Sequence, residues 1–416
     1  MRNAWLARVV SIVGIGCTVL AGGAAFAADN DGLKLAEGFS AVVVHEGQGT
    51  ARHLDVAANG DIYVAGRNGL SAMRDSNRDG KADVVSTFGD VKGTEIHLFK
   101  NWLYVSDDVG VYRYALNKGQ LAPAGARETV VSEFPKERQH SDKTFALDAK
   151  GTLYINVGAP SNSCQEKDRQ EGSPGLNPCP ILEKYGGVWV FDGTKLNQTP
   201  ANGRRFATGM RNAVAIEWNA SQNALFAVIH GRDSLDTLFP ALYNAEDNAT
   251  RQAEEFHKIT DGGDYGWPYT FFDTTLGKRV LAPEYGGDKT KEPEAGKYPY
   301  PLVAFPAHWA PNDMLFYSGK SFPAKYREGA FIAFHGSWNR APEPQAGYKV
   351  VFQPMKDGKA NGPFEVFADG FAGEMKDNSP RNAQYRPVGL AVGPDGSLFV
   401  ADSQKGRVWR ISYRGK

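Results

Sequence analysis

An all-β fold, a six-bladed β-propeller with four-stranded antiparallel blades, follows from three observations. One hairpin signal recurs six times along the 416 residues. No stretch carries the 3.6-residue periodicity of a long amphipathic helix, and 246–260 is the best short candidate. No polar linker separates the repeats, which argues against a string of immunoglobulin-type sandwiches.

Each repeat is an apolar alternating run, a turn containing Gly, Asp or Asn, and a second run rich in β-branched and aromatic residues. The copies are LDVAANGDIYVAG (54–66), IHLFKNWLYVSDDVGVYRY (96–114), FALDAKGTLYINVGA (145–159), AIEWNASQNALFAVIHG (215–231), FPAKYREGAFIAFHG (322–336) and LAVGPDGSLFVADSQKGRVWRI (390–411). Six units leave roughly 65 residues for each blade, more than four short strands need, so the surplus lies in loops. The longest gaps, 160–215 and 232–320, are the expected builders of a ligand site on one face.

Composition narrows the function. Forty-seven basic residues balance 47 acidic ones, and 42% of the chain is hydrophobic. A neutral chain without clustered basic excess is not expected to bind nucleic acid. Arg2 and Arg8 flank a short apolar run that ends in Ala25-Phe26-Ala27. That is the pattern of a secretory signal peptide over residues 1–27, cut after Ala27, with 28–416 as the propeller. The protein is therefore expected in the periplasm or outside the cell, and no later stretch is apolar and long enough to span a bilayer. Cys164 and Cys179 lie in one polar Gly/Pro-rich loop of an exported chain and are expected to form a local disulfide.

Few motifs carry chemistry. Asp75, Asn77 and Asp79 sit at alternate positions before Gly80, the first half of an EF-hand-like loop, but Ser86 stands where the closing acid belongs. A second Ca²⁺ site and a bare Asx-rich turn both fit. The eight histidines form no H-x-H or H-E-x-x-H pair, which leaves zinc hydrolysis without support. His140 precedes the third hairpin, and His230 and His335 each end an apolar run before a glycine, placing them at one mouth. Arg211 and Asn212 precede the fourth hairpin. GDYGWPY (263–269) is too apolar for a free loop and is either a core plug or a stacking platform. Serine elbow, P-loop, dinucleotide glycine motif and C-x-x-C-H are all absent from the sequence.

Together the histidine before blade three, GMRN (209–212), GDYGWP, the Ala-Pro turn after His308 and RPVGLAVGPDGSLFVAD (386–402) resemble the soluble glucose/sorbosone dehydrogenases, which use pyrroloquinoline quinone (PQQ) on a six-bladed propeller. The resemblance covers nearly all of 38–416. It implies oxidation of an aldose or sugar aldehyde by hydride transfer to Ca²⁺-bound PQQ, with electrons passed to a diffusible quinone or cytochrome. It assigns His140 as general base and Arg211 as the cation beside the reacting carbonyl. Arg211, Asn212, His308, Asn339, Arg340 and Arg386 would contact the cofactor, and the backbone carbonyls of Gly231 and Arg232 would hold Ca²⁺. Three departures stand out: Gln139 in place of an acid before the base, KGTEIHLF at 92–99, and His308 in place of a hydroxyl residue. Asp142 is the alternative base. Two other functions remain open, a Ca²⁺-dependent lactonase using Asp233, Asp236 and Glu254, and an inert binding propeller.

Overall fold

Alternation places every second side chain between neighbouring sheets, and six such sheets close a ring. The computed structural model describes residues 30–47, 49–375 and 379–415; the expected signal peptide lies outside them. Blade 1 comprises Ala51–Val56, Ile62–Gly66, Gly69–Arg74 and Val84–Phe88. Blade 2 runs from Ile96–Phe99 to Glu128–Val131, and blade 3 from Phe145–Leu147 to Arg204–Thr208. Blade 4 joins Ala215–Asn219, Ala224–Ile229, Glu254–Ile259 and Val303–Phe305. Blade 5 joins Pro311–Phe316, Gly329–Phe334, Lys349–Lys356 and Glu365–Asp369.

Blade 6 takes Pro387–Val392, Leu398–Asp402 and Val408–Tyr413 from the chain's end and Phe39–His45 from its beginning. Phe39 pairs with Tyr413 and Val43 with Trp409, antiparallel. The two ends of the propeller therefore share one sheet, which closes the ring without a covalent bond. Tight a–b turns need a left-handed residue, and Gly60 (φ 92°) and Gly396 (φ 79°) supply it.

Two sequence expectations are corrected. The inner strand of the fifth hairpin is Pro311–Phe316, not 322–328, where Pro323 opens a 3₁₀ turn over Ala324–Tyr326. The helical candidate at 246–260 splits into a six-residue helix, Ala245–Thr250, capped by Asn244, and the blade strand Glu254–Ile259. Glu254, Glu255, Phe256 and His257 are buried in succession, as suits a strand covered on both faces, and Lys258 is exposed.

Aromatic layers fill the gaps between blades. Between blades 5 and 6, Phe331 meets Phe352, Phe367 and Tyr326 at centroid distances of 4.9, 4.7 and 6.0 Å. The axis, by contrast, is polar. His53 places Nδ1 2.6 Å from the Thr94 carbonyl and Nε2 2.8 Å from that of Asn312, joining blade 1 to blades 2 and 5. Asp55 accepts from the Leu98 amide at 2.7 Å, and Asp313 from the Leu390 amide at 2.6 Å. Among the described residues no helix is long and apolar enough to cross a membrane.

Phe331 is fully buried. Phe331→Ala is expected to remove about 3–5 kcal/mol of stability, read as a lower urea midpoint at unchanged slope.

Candidate active site

Loops that enter the inner strands and loops that join second to third strands emerge on the same face, and they bring the polar residues together. His140 lies in the entry loop of blade 3, with its backbone in the left-handed region at φ 51°. A side chain at Gly158 would sit 2.6 Å from the His140 Cβ and 2.8 Å from the Asn212 Oδ1, so only glycine allows these two residues to approach. The Ala159 carbonyl accepts Nδ1–H of His140 at 2.5 Å, leaving Nε2 with its lone pair. Burial first, then the nearby Arg211 charge, push the His140 imidazole down to about 3. At neutral pH it is an uncharged, oriented proton acceptor.

Arg211, 3% exposed, donates Nη1 to the Gly231 carbonyl at 2.9 Å and Nη2 to Asp233 Oδ2 at 2.6 Å. Arg169 reaches the same Asp233 oxygen at 3.1 Å, and Asn339 Nδ2 reaches Oδ1 at 2.8 Å. His308 Nδ1 lies 3.7 Å from that oxygen, while its Nε2 faces the Asn248 carbonyl at 2.8 Å. Burial alone would raise the Asp233 carboxyl, but Arg211, His308 and Arg169 hold it below the usual carboxylate range. Asn162 pins the Asp233 backbone in both directions, at 2.9 and 3.0 Å.

A second buried pair stands beside the first. Arg232 Nη1 contacts Glu284 Oε2 at 2.5 Å, and Ser163 donates to the other Glu284 oxygen at 2.7 Å. Glu254 accepts the Gly231 and Ala310 amides at 2.9 and 3.0 Å, and burial raises its carboxyl to about 7. His230 Nε2 faces the Pro311 carbonyl at 2.7 Å, and His335 Nε2 lies 2.6 Å from Ser403 Oγ.

The departures noted in the sequence acquire partners. Gln139 bridges Asp168 at 2.9 Å and Arg169 at 3.1 Å, so it steadies Asp233 at one remove. Thr94, in the 92–99 segment, donates to Asp142 at 3.2 Å. Asp142 also takes Arg52 at 2.8 Å and Arg67 at 2.6 Å. Burial would raise its carboxyl, yet the two arginines bring it down to about 2. The carboxylate oxygens of Asp142 are thus taken up by Arg52, Arg67 and Thr94.

Other assigned residues are held differently. Arg340 turns to the carbonyls of Ala249, Ala307 and Pro344. Arg386 donates to the His335 and Gly336 carbonyls at 3.1 and 2.5 Å, and burial lowers it to about 10. Asp75, Asn77 and Asp79 lie in a third-to-fourth-strand loop of blade 1, on the opposite face. There the side-chain oxygens accept the amides of Asp79, Gly80 and Lys81, as an Asx-rich turn does. Tyr265 and Trp267 of GDYGWPY are buried, and Trp267 packs with the Cys164–Cys179 disulfide (S–S 2.02 Å), making the segment a core plug. Asp233, Asp236 and Glu254 do not converge on a common point: Asp233 is bound by cations, Glu254 by amides, and Asp236 accepts the Thr237 amide. Among the described residues, no three His, Cys, Asp or Glu side chains form a metal-holding group.

Sequence reasoning missed Arg52, Arg169, Asn162 and Glu284. Arg52 carried one signal, a charge inside the inner-strand run ARHLDV. The arginine Nε atoms of Arg52, Arg211 and Arg232, and Asn339 Oδ1, are buried without a hydrogen-bond partner. Such a group of unmet polar atoms in one polar cluster fits a multiply anionic, hydrogen-bonding ligand.

A family model described as TrAA12-like matches residues 33–414. The PQQ-dependent pyranose dehydrogenase of Coprinopsis cinerea is 26% identical over 283 residues, 58% of this chain and 36% of that protein. An uncharacterized protein of Borreliella burgdorferi is 29% identical over 210 residues, 50% of this chain and 48% of the relative. The chain thus spans less than half the length of the curated relatives it matches. Among solved structures, the holo PQQ domain of the Coprinopsis enzyme aligns with TM-score 0.68 at 21% identity, covering 91% of this chain and 97% of that one. The iodide structure of the Trichoderma reesei family AA12 enzyme aligns with TM-score 0.72 at 18% identity, covering 93% and 99%. These likenesses show the propeller fold.

His140 is expected to remain neutral in the folded protein from pH 8 down to about 4.5, because its pKa is pushed down to about 3. Its proton is then taken up by the unfolded chain instead, so this group withdraws stability as pH falls below 6.5. A ¹³C-histidine NMR titration, assigned with His140→Gln, should show a flat Cε1–H shift; an inflection near pH 6.5 contradicts the assignment.

Proposed function

The chain belongs to the TrAA12-like family, and from that premise we propose that it is an exported, PQQ-dependent dehydrogenase of an aldose or related sugar. One observation carries the reading. A neutral histidine with a fixed tautomer lies beside a buried arginine, among guanidinium and amide atoms that lack partners. The Coprinopsis relative is a PQQ-dependent pyranose dehydrogenase, which supports the same cofactor and substrate class here.

When bound, the cofactor would supply a quinone carbonyl carbon that accepts hydride. The protein's own part is positioning and proton transfer. His140 Nε2 would take the proton of the anomeric hydroxyl while the adjacent C–H leaves as hydride, and the sugar departs as its lactone. Arg211 and Arg52 would engage the acid groups and carbonyls of the ligand through their unpaired Nε–H groups, and Asn339 Oδ1 would accept from a donor on the ligand. Arg211 would also stabilise the negative charge that develops as hydride arrives. The Arg211 charge is one cause of the low His140 pKa, so an anion placed against Arg211 would raise the basicity of His140. The base would then strengthen only in the loaded site.

Calcium enters this proposal as an ion that binds together with the cofactor. The Gly231 and Arg232 carbonyls are hard oxygen donors suited to it, but that of Gly231 is engaged by Arg211 Nη1 at 2.9 Å. Arg211 would have to turn from that carbonyl towards the ligand, and no step is routed through the ion. Electrons would leave to a diffusible quinone or cytochrome. The lactonase reading draws no support from the separated carboxylates.

The experiment is a titration of apoprotein with PQQ, with and without Ca²⁺, followed by dye reduction across an aldose panel. Stoichiometric binding and sugar-dependent reduction are expected; absence of PQQ binding at micromolar protein overturns the proposal. His140→Ala should keep PQQ affinity and lose roughly 100- to 10,000-fold in turnover. Arg211→Ala should lose both affinity and rate. Prolonged chelation by EDTA should release the cofactor, measured by its absorbance after desalting; full retention removes calcium from the proposal.

A further inference from the structure

The connection that follows Gly329–Phe334 in blade 5 is anchored to the site on both sides of one exposed residue. Ser337 Oγ donates to the His308 carbonyl at 3.0 Å, and the Asn339 amide donates to Ser337 Oγ at 3.2 Å. The Asn339 side chain holds Asp233 at 2.8 Å, and its carbonyl accepts Asn248 Nδ2 at 2.8 Å. Arg340 is fastened to three backbone carbonyls. Between Ser337 and Asn339 stands Trp338, 61% exposed.

Single exposed apolar residues are ordinary on protein surfaces. Among the described residues the other exposed large apolar side chains, Val84, Val85, Leu196, Leu276, Tyr300 and Val366, have no sequence neighbour bonded to Asp233. Trp338 does, and its Cα lies only about 3.8 Å from that of Asn339. An indole on a backbone fixed in this way is displayed at low entropic cost. The Asp233 cluster that Asn339 joins is cationic and polar.

We propose that Trp338 is a specificity-determining residue, a platform for the apolar C–H face of a pyranose ring whose anomeric carbon points down towards His140. The inference rests on the sugar-dehydrogenase reading and deepens it. A pyranose is amphipathic: its hydroxyl edge suits the polar floor, and its C–H face suits an aromatic ring. The platform favours six-membered rings with an unobstructed C–H face over open-chain sugars, which present none.

The test compares wild type with Trp338→Ala and Trp338→Phe, each loaded with PQQ. Trp338→Ala is expected to raise the sugar KM by roughly five- to tenfold while the KM for the dye acceptor stays within twofold, and Trp338→Phe is expected to recover most of the loss. An unchanged sugar KM in Trp338→Ala overturns the proposal. A shift in the acceptor KM in place of the sugar KM also overturns it, and makes Trp338 an acceptor-docking residue. A readout independent of turnover is indole emission on addition of a methyl pyranoside, which has no oxidisable anomeric hydroxyl. The sugar-dependent change should be present in wild type and absent in Trp338→Phe. If PQQ fails to bind but this change persists, the dehydrogenase reading falls and the platform stands. If emission ignores the sugar, the platform falls.

Discussion

The two oxygens of the Asp233 carboxylate are shared among Arg211, Arg169 and Asn339, with His308 close by, and these partners come from four separate loops. Each loop would otherwise bring a buried cation or amide with no counterpart. Stripping water from an isolated guanidinium is costly, and breaking a buried pair leaves an uncompensated charge worth about 3–5 kcal/mol. The pair therefore does two things. It draws the disulfide loop, the blade 4 insertion and the blade 5 connection onto one point, and it gives the Arg211 charge a counterpart near His140. Gln139 extends the arrangement outward by gripping Arg169 and Asp168. The acid that the family resemblance would place at Gln139 is not needed to hold this cluster together.

Beneath the site, the axis follows a different rule. Glu95, Glu217 and Asp313 are carboxyls that burial raises well above their usual range. Unlike Asp233, they form no ion pair with an arginine among the described residues; Asp313 is served by backbone amides instead. Asp233 and Asp142 at the mouth are thus held ionised by arginines, while burial in the middle favours the neutral form. His53, wedged between two carbonyls from different blades, ties the inner strands together where no apolar side chain fits. A cationic top over an acid-form interior keeps an anionic ligand at the mouth of the ring.

How much of this could be read in the sequence depends on the range of the interaction. Five of the six hairpins follow from period-two alternation and a turn residue, both local signals. The fifth failed at 322–328 because Phe322 and Tyr326 look like strand residues, although Pro323 starts a turn and both rings point into the interblade core. The true inner strand, Pro311–Phe316, opens with a proline, which counts against a strand except at its first residue. His140, Arg211 and Asn212 were legible because each lies in the loop leading into an inner strand and matches a motif of the resembled family. Arg169 and Arg52 were not, because their roles depend on Asp233 and Asp142, which only ring closure brings near. The guanidinium groups of Arg340 and Arg386, which the family resemblance assigns to the cofactor, are engaged by backbone carbonyls, contacts that no sequence pattern signals.

The shared sheet of blade 6 has a consequence for the order in which the chain takes shape. Phe39–His45 leaves the ribosome before blades 1 to 5, but its partner Val408–Tyr413 leaves after them. For the whole time between, the first strand is an unpaired edge, and Lys34–Leu35 likewise waits for Glu365–Asp369. Blades 1 to 4 can form hairpin by hairpin as they emerge, whereas blades 5 and 6 are completed only after nearly the full length is present. The ring behaves as a belt whose buckle is forged at the outset and whose tongue arrives at the end. A chain interrupted late in synthesis therefore keeps most of its blades and still has an open circle.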